Sequence, residues 1–274
     1  MQGVLAHKEK QMSFISKKLG QFTYFDLQLD GPNWRGKRVL DFGGNIGNIL
    51  REQNSTIDHD KYWCIDVSRD AIESGKQAYP DAHWVFYDRY NFVFNPNGRE
   101  GLKLPGIGQQ FDYVLVYSVF THTSETEMME LITELEKWLA ADGVLAFTFI
   151  DPHFNPARND GTIHQGYYDG TCLKQRLERM KDTDPTVDIQ ALLERARNAR
   201  WCILVNEDDL YIESEDLKYY DETQKRSFHT FYTADYMKTI FPDAVVLPPQ
   251  HDAYTPSEES MLQHCCVIRK ASGR

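Results

Sequence analysis

The chain has 274 residues, 41% of them hydrophobic and 26% charged, a composition that suits a packed globular core and excludes disorder, collagen and coiled coil as the main organisation. Its 30 Lys and Arg against 41 Asp and Glu leave a formal net charge of -11, which argues against a phosphate-backbone partner. The five cysteines include no CxxC pair, no run approaches the ~18 apolar residues of a membrane span, and no secretory leader is read at the start. The expectation is a cytoplasmic protein with reduced core thiols, no metal and no membrane association.

In chain order, residues 5–19 read as a helix and 38–42 (RVLDF) as a short buried strand. A glycine cluster follows at once, and a short helix is expected over 46–53. Residues 62–66 (YWCID) form the second strand, after which Ser68 can cap a helix by accepting an N–H of its first turn. Residues 83–87 (HWVFY) form the third strand. The Asn-, Gly- and Pro-rich stretch 88–110 reads as a loop where strict alternation would place a helix. Residues 111–117 (FDYVLVY) are the fourth strand, and Ser124 with Glu127 forms a capping box. The helix it opens carries Met128, Leu131, Ile132, Leu135, Trp138 and Leu139 at helical spacing. Ala141-Asp142-Gly143 turns the chain into a fifth strand over 144–150.

Alternation then stops. Residues 152–227 are polar, Tyr-rich and locally helical, with Asp184-Pro185 opening a helix to about 200. They read as an insertion that forms a substrate lid or cap on a core made of 1–151 and 228–274. Thr233 caps a last helix ending at Phe241-Pro242, and 244–247 and 262–269 are closing strands. The alternation predicts an α/β fold.

Chemistry concentrates at strand ends. Asp41-Phe-Gly43-Gly44-Asn45-Ile-Gly47 ends a strand in an acid and opens a glycine-rich turn, which allows close backbone approach to a ligand. The spacing departs from the dinucleotide fingerprint G-x-G-x-x-G, because Asn45 and Asn48 stand where its second and third glycines belong. Asn45 tolerates left-handed backbone, so the turn survives. Asp66 ends the second strand 25 residues after Asp41, where a carboxylate can accept both hydroxyls of a ribose.

The acid-x-G-x-x-x-G form, followed by Asp66, Asp88, the run FDYVLVYSVFTH and the phrase WLAADGVL, resembles the class I S-adenosylmethionine-dependent methyltransferases. The resemblance covers 37–151 and suits the closing strands. It implies a Rossmann-like, seven-stranded, mostly parallel sheet with helices on both faces and a partly helical insertion after strand five. It implies S-adenosylmethionine as cofactor, held by Asp41, Gly43, Gly44, Asn45 and Gly47 in the turn and by Asp66 and Val67 at the ribose. Asp88, with Tyr87 before it, would meet the adenine, and Tyr117 and Ser118 the methionine part. The Asn/Asp-Pro-Pro-aromatic motif of many nucleic-acid and protein methyltransferases is absent after strand four, as are the paired acids that hold magnesium in catechol-type enzymes. The expected acceptor is therefore a small metabolite, methylated at oxygen, nitrogen or carbon by in-line displacement. His122 and His153 are the candidate bases, because histidine titrates near neutral pH. His164, Tyr167, Tyr168 and His229 are candidates for a lid over the acceptor. The alternatives are a nicotinamide-dependent oxidoreductase, which Asp66 suits and the glycine spacing does not, and a non-catalytic adenosyl-ligand binder. A homodimer is compatible with the insertion.

Overall fold

A short, mostly apolar run at 39–42, followed at once by glycine, forms an inner strand of a seven-stranded sheet. The structure is a computed structural model that describes residues 20–91, 94–151, 201–205, 211–213, 228–249 and 263–270, with isolated positions between 178 and 191. The helix expected over 5–19 lies outside the described residues.

The elements are α1 (Gln21–Gln28), β1 (Val39–Phe42), β2 (Tyr62–Asp66), α2 (Arg69–Ala78), β3 (His83–Phe86), β4 (Phe111–Val116), α3 (Glu125–Lys137) and β5 (Leu139–Phe149). After them come β6 (Trp201–Val205), β7 (Tyr211–Glu213), β8 (Phe228–Tyr232), α4 (Ala234–Ile240), β9 (Val245–Leu247) and β10 (His264–Arg269). The large sheet has the order β3-β2-β1-β4-β5-β10-β9. Strands β1 to β5 pair in parallel, and β10 runs antiparallel to both β5 and β9. The fold is the expected Rossmann-like one.

Every residue of β1 and β2 is buried, as a sheet covered on both faces requires. Leu40, Phe42, Ile65, Val114, Val116 and Phe147 point to one face and pack with Met128, Leu131, Ile132 and Leu135 of α3 and Met237 of α4. Val39, Tyr62, Cys64, Leu115 and Ala146 point to the other and pack with Phe22, Tyr24 and Phe25 of α1 and Ile72 of α2. Alternation along each strand thus decides which helix it meets. Cys64, Cys265 and Cys266 are free and buried.

Local capping follows the sequence closely. Ser68 Oγ accepts the Ala71 N–H, Thr233 Oγ1 accepts the Tyr236 N–H, and Ser124 and Glu127 form the reciprocal box at α3. Three expectations change. The helix expected over 46–53 is a run of turns, because Asn45 and Gly47 both take left-handed backbone (φ 54° and 80°) where a helix would have to start. The Ala141–Gly143 turn does form at Asp142 (φ 61°), yet pairing with β4 continues across it, so β5 begins at Leu139 and the register slips there.

The third change concerns the segment after β5. Strands β6 and β7 fall inside the stretch read as locally helical, and β8 joins them in an antiparallel sheet of order β7-β6-β8. Residues 228–232 therefore pair with β6 and not with the large sheet. This small sheet is anchored on the large one: the Tyr232 N–H donates to Ile150 O at 3.0 Å, and Thr230 Oγ1 donates to Thr123 O at 2.5 Å.

Candidate active site

Strand order reverses between β1 and β4, and a cleft opens beyond the carboxyl ends of the strands there. A cavity of about 270 Å³ occupies it, lined by the turn after β1, the ends of β2 and β3 and the segment after β4. Gly43, Asn45, Asp66, Val67, Tyr87, Tyr117, Ser118 and His122 all line it.

The glycine turn is shaped by close approach. Gly43 takes φ 77°, and a Cβ on it would lie 2.2 Å from Val119 Cγ2, so only glycine lets the turns after β1 and β4 abut. A Cβ on Gly44 would lie 2.5 Å from the Asp41 carboxylate beneath it. Asn45 takes up the left-handed conformation, and its N–H donates to Asp66 Oδ2 at 2.8 Å. The Ser68 N–H donates to Asp66 Oδ1 at 2.7 Å. The carboxylate is thus fixed at the cavity wall, each oxygen retaining acceptor capacity. Burial raises the Asp66 pKa, and the N–H donors of Ser68 and Asn45 oppose the rise.

Asp41 is fully buried below the turn and accepts from Tyr62 OH at 2.6 Å, while its Oδ1 has no hydrogen-bond partner. Burial raises this carboxyl to about 7, against the Tyr62 hydrogen bond and with help from the Asp66 charge. Gly44, Gly47 and Asp41 support the turn and do not line the cavity. Tyr87 presents its ring to the cavity and donates its hydroxyl to Leu102 O. Tyr117 packs edge-on against Tyr24 of α1 at 5.3 Å, and burial, with the Glu52 charge adding, pushes its hydroxyl up to about 12.

Asp88 is not among the residues lining the cavity. Its carboxylate faces the following loop, 3.5 Å from Arg99 Nε and 3.3 Å from Asn95 Nδ2, so local ion pairing and turn bonding take it up. His122 ends a short 3-10 turn after β4, with its ring edge-on to Phe94 at 5.6 Å. His153, His164, Tyr167 and Tyr168 lie outside the described residues, as does the side chain of His229.

Sequence reading missed Arg89. It is 6% exposed and lines the cavity, held by Glu130 at 3.1 Å, Glu127 at 3.6 Å and Leu102 O at 3.1 Å. Glu127 thus serves both the helix cap and a buried ion pair. The available signal was the Glu127/Glu130 spacing, which puts two carboxylates on one helical face. Among the described residues, no group of three or more His, Cys, Asp and Glu side chains is placed to hold a metal ion. None of the described helices is long and apolar enough to cross a membrane.

Residues 40–145 match the model of a methyltransferase domain family, a segment that runs from β1 into β5 and carries all of the cavity lining but Gln21. Among solved structures, the chain is similar to the glycopeptide N-methyltransferase MtfA complexed with (S)-adenosyl-L-methionine, at 7% identity and a TM-score of 0.50, over 90% of this chain and 92% of that one. The complex of MtfA with sinefungin aligns at 8% identity and a TM-score of 0.50, over 91% and 92%. An S-adenosylmethionine-dependent methyltransferase from Clostridium acetobutylicum aligns at 9% identity and a TM-score of 0.49, over 99% of both chains. Residues 40–145 thus match a methyltransferase domain, and the chain shares its fold with S-adenosylmethionine-dependent methyltransferases.

The residues present fit an adenosyl ligand. Gly43 and Asn45 of the glycine turn line the cavity, a fixed carboxylate stands at the end of β2, and Ile65, Val67, Phe94 and Leu131 add apolar lining.

Proposed function

We propose that the protein transfers the methyl group of S-adenosylmethionine to oxygen, nitrogen or carbon of a small metabolite. The observation that carries this reading is the convergence of the Gly43–Asn45 turn, the Asp66 carboxylate and Ser118 on one cavity at the strand-order reversal. The cofactor, when bound, supplies an electrophilic sulfonium methyl. The chain's part is to bind and orient. Asp66 accepts the ribose hydroxyls, the glycine turn admits the ligand's backbone-facing side, and Tyr87, Val67 and Phe94 give the adenine an apolar slot. Because Asp88 is drawn to Arg99, the slot is walled by Asn91 and Arg89 in its place.

His122 stands at the cavity wall and is the base where the acceptor carries a proton that must leave. His153 is a second candidate on sequence grounds. The segment 152–227 forms the cap over the acceptor, which the anchoring of the small sheet at Thr123 and Ile150 supports. The acidic balance and the missing motif after strand four favour a small acceptor over a nucleic acid.

Titration calorimetry with S-adenosylmethionine, S-adenosylhomocysteine and NAD tests the reading. Both adenosyl ligands bind at about micromolar level, NAD does not, and Asp66→Ala weakens binding at least about tenfold. No binding of either adenosyl ligand at millimolar concentration would overturn it.

A further inference from the structure

Gln263 immediately precedes β10, is 5% exposed, and belongs to no sequence motif noted above. It joins three parts of the fold. Its main-chain carbonyl accepts the Tyr24 hydroxyl of α1 at 3.0 Å. Its Nε2 donates to Ser118 Oγ at 3.1 Å, and its Oε1 accepts from Thr148 Oγ1 of β5. Thr148 Oγ1 accepts the Ser118 N–H at 2.7 Å. Thr121 Oγ1 donates to Ser118 O at 2.8 Å, so the 3.0 Å contact between Ser118 Oγ and Thr121 Oγ1 uses the serine proton. Every hydroxyl proton in this ring then has one acceptor, and only one orientation of the Gln263 amide satisfies them all.

The ring acts on an unusual residue. Ser118 takes φ 57°, backbone that non-glycine residues hold only when their surroundings impose it. The imposed turn presents Ser118 to the cavity and sets Val119 against Gly43. Strand order says which part of a ligand meets it. With the ribose at Asp66 on β2, the apolar slot lies toward β3, so the remaining half of an adenosyl amino acid runs toward β1 and β4.

We propose that Gln263 is a positioning residue that locks the Ser118 turn against the amino-acid half of S-adenosylmethionine. The proposal rests on the methyltransferase reading. Its test is calorimetry on the full chain with two probes that share the adenosine and thioether: S-adenosylhomocysteine, and 5′-methylthioadenosine, which lacks the amino-acid group. Gln263→Met keeps the side chain's length and removes its hydrogen bonds. It weakens S-adenosylhomocysteine at least about tenfold and changes 5′-methylthioadenosine by less than about twofold. Ser118→Ala gives the same split, and adding Gln263→Met to it costs no further affinity, because the two act through one contact. Should the Gln263 variant fail to fold, Ser118→Ala carries the prediction alone. Equal loss for both ligands, no loss, or additive losses overturn the proposal. Asp66→Ala, which weakens both ligands, separates the two readings: if the wild type binds neither probe, the methyltransferase reading falls and this proposal with it. If it binds both and the Ser118 and Gln263 variants match it, only this proposal falls.

Discussion

At the scale of the residue, Asn45 decides how far the glycine turn departs from its usual form. It takes φ 54° and uses the resulting N–H direction to hold Asp66. Asparagine enters this region more readily than other non-glycine residues, so the substitution for glycine keeps the turn intact. Asn45→Gly therefore leaves the urea midpoint nearly unchanged. Asn45→Val costs roughly 1–2 kcal/mol in the same measurement, because a β-branched side chain in left-handed backbone clashes with its own carbonyl. A Val variant as stable as the wild type would show that the turn relaxes out of this conformation. The conformation was legible in the residue type. The fate of Asp88 was not, because Arg99 and Asn95 reach it only through the folding of the loop between them.

At the scale of the element, caps divide into those a sequence displays and those only a fold assembles. Ser68, Thr233 and the Ser124/Glu127 box act within three residues and could be read directly. The cap of α1 comes from 30 residues away: Glu52 accepts the Phe22 N–H at 2.5 Å, the Thr23 N–H at 3.1 Å and the Thr23 hydroxyl at 2.8 Å. Glu52 sits in the run of turns after β1, so it ties α1 to the site, where Gln21 reaches the cavity wall. Glu52→Ala leaves these donors unpaired and costs about 1–2 kcal/mol. Amide exchange of α1 accelerates while the strands of the large sheet keep their protection, and uniform acceleration of both would refute the assignment. The small sheet was hidden for a related reason. A five-residue apolar run such as 201–205 does not by itself reveal a strand, and its partner β8 lies more than twenty residues on. The large sheet was legible because its inner strands β1 and β2 are buried at every residue and therefore read as short, nearly continuous apolar runs. Arg89 and Gln263 escaped notice because polar residues reveal their burial only through partners distant in sequence.

At the scale of the whole molecule, two buried groups set opposing responses to pH. Burial raises Asp41 to about 7, and burial pushes His264 down to about 4 against the pull of Asp151. The folded state retains the Asp41 proton that the unfolded chain releases above about pH 4, so this contribution is full below that pH and lost as pH rises toward 7. His264 stays neutral in the fold while the unfolded chain takes up a proton below about pH 6.5, so its contribution is present above that pH and lost as pH falls toward 4. Between these limits each proton is worth up to about 1.4 kcal/mol per pH unit with opposite sign, and the two largely cancel. Asp41→Asn unmasks stability that rises from pH 4.5 to 6.5, and His264→Gln unmasks stability that falls from pH 4.5 to 7. Chemical denaturation across this range measures both slopes, and parallel profiles for the two variants would contradict the assignment.

The strand that closes the large sheet is also the last described one in the chain. With β10 in place, β5 and β9 are joined through it; without β10, each presents an open backbone edge. During synthesis, β1 to β5 can form their parallel ladder while one side of β5 waits for a segment more than a hundred residues away. Apolar residues such as Phe147 and Phe149 lie along that waiting edge, which is the kind of surface on which nascent chains associate with one another. A chain cut short before residue 264 therefore keeps the β5 edge open as a template for aggregation, a liability that pairing with β10 removes.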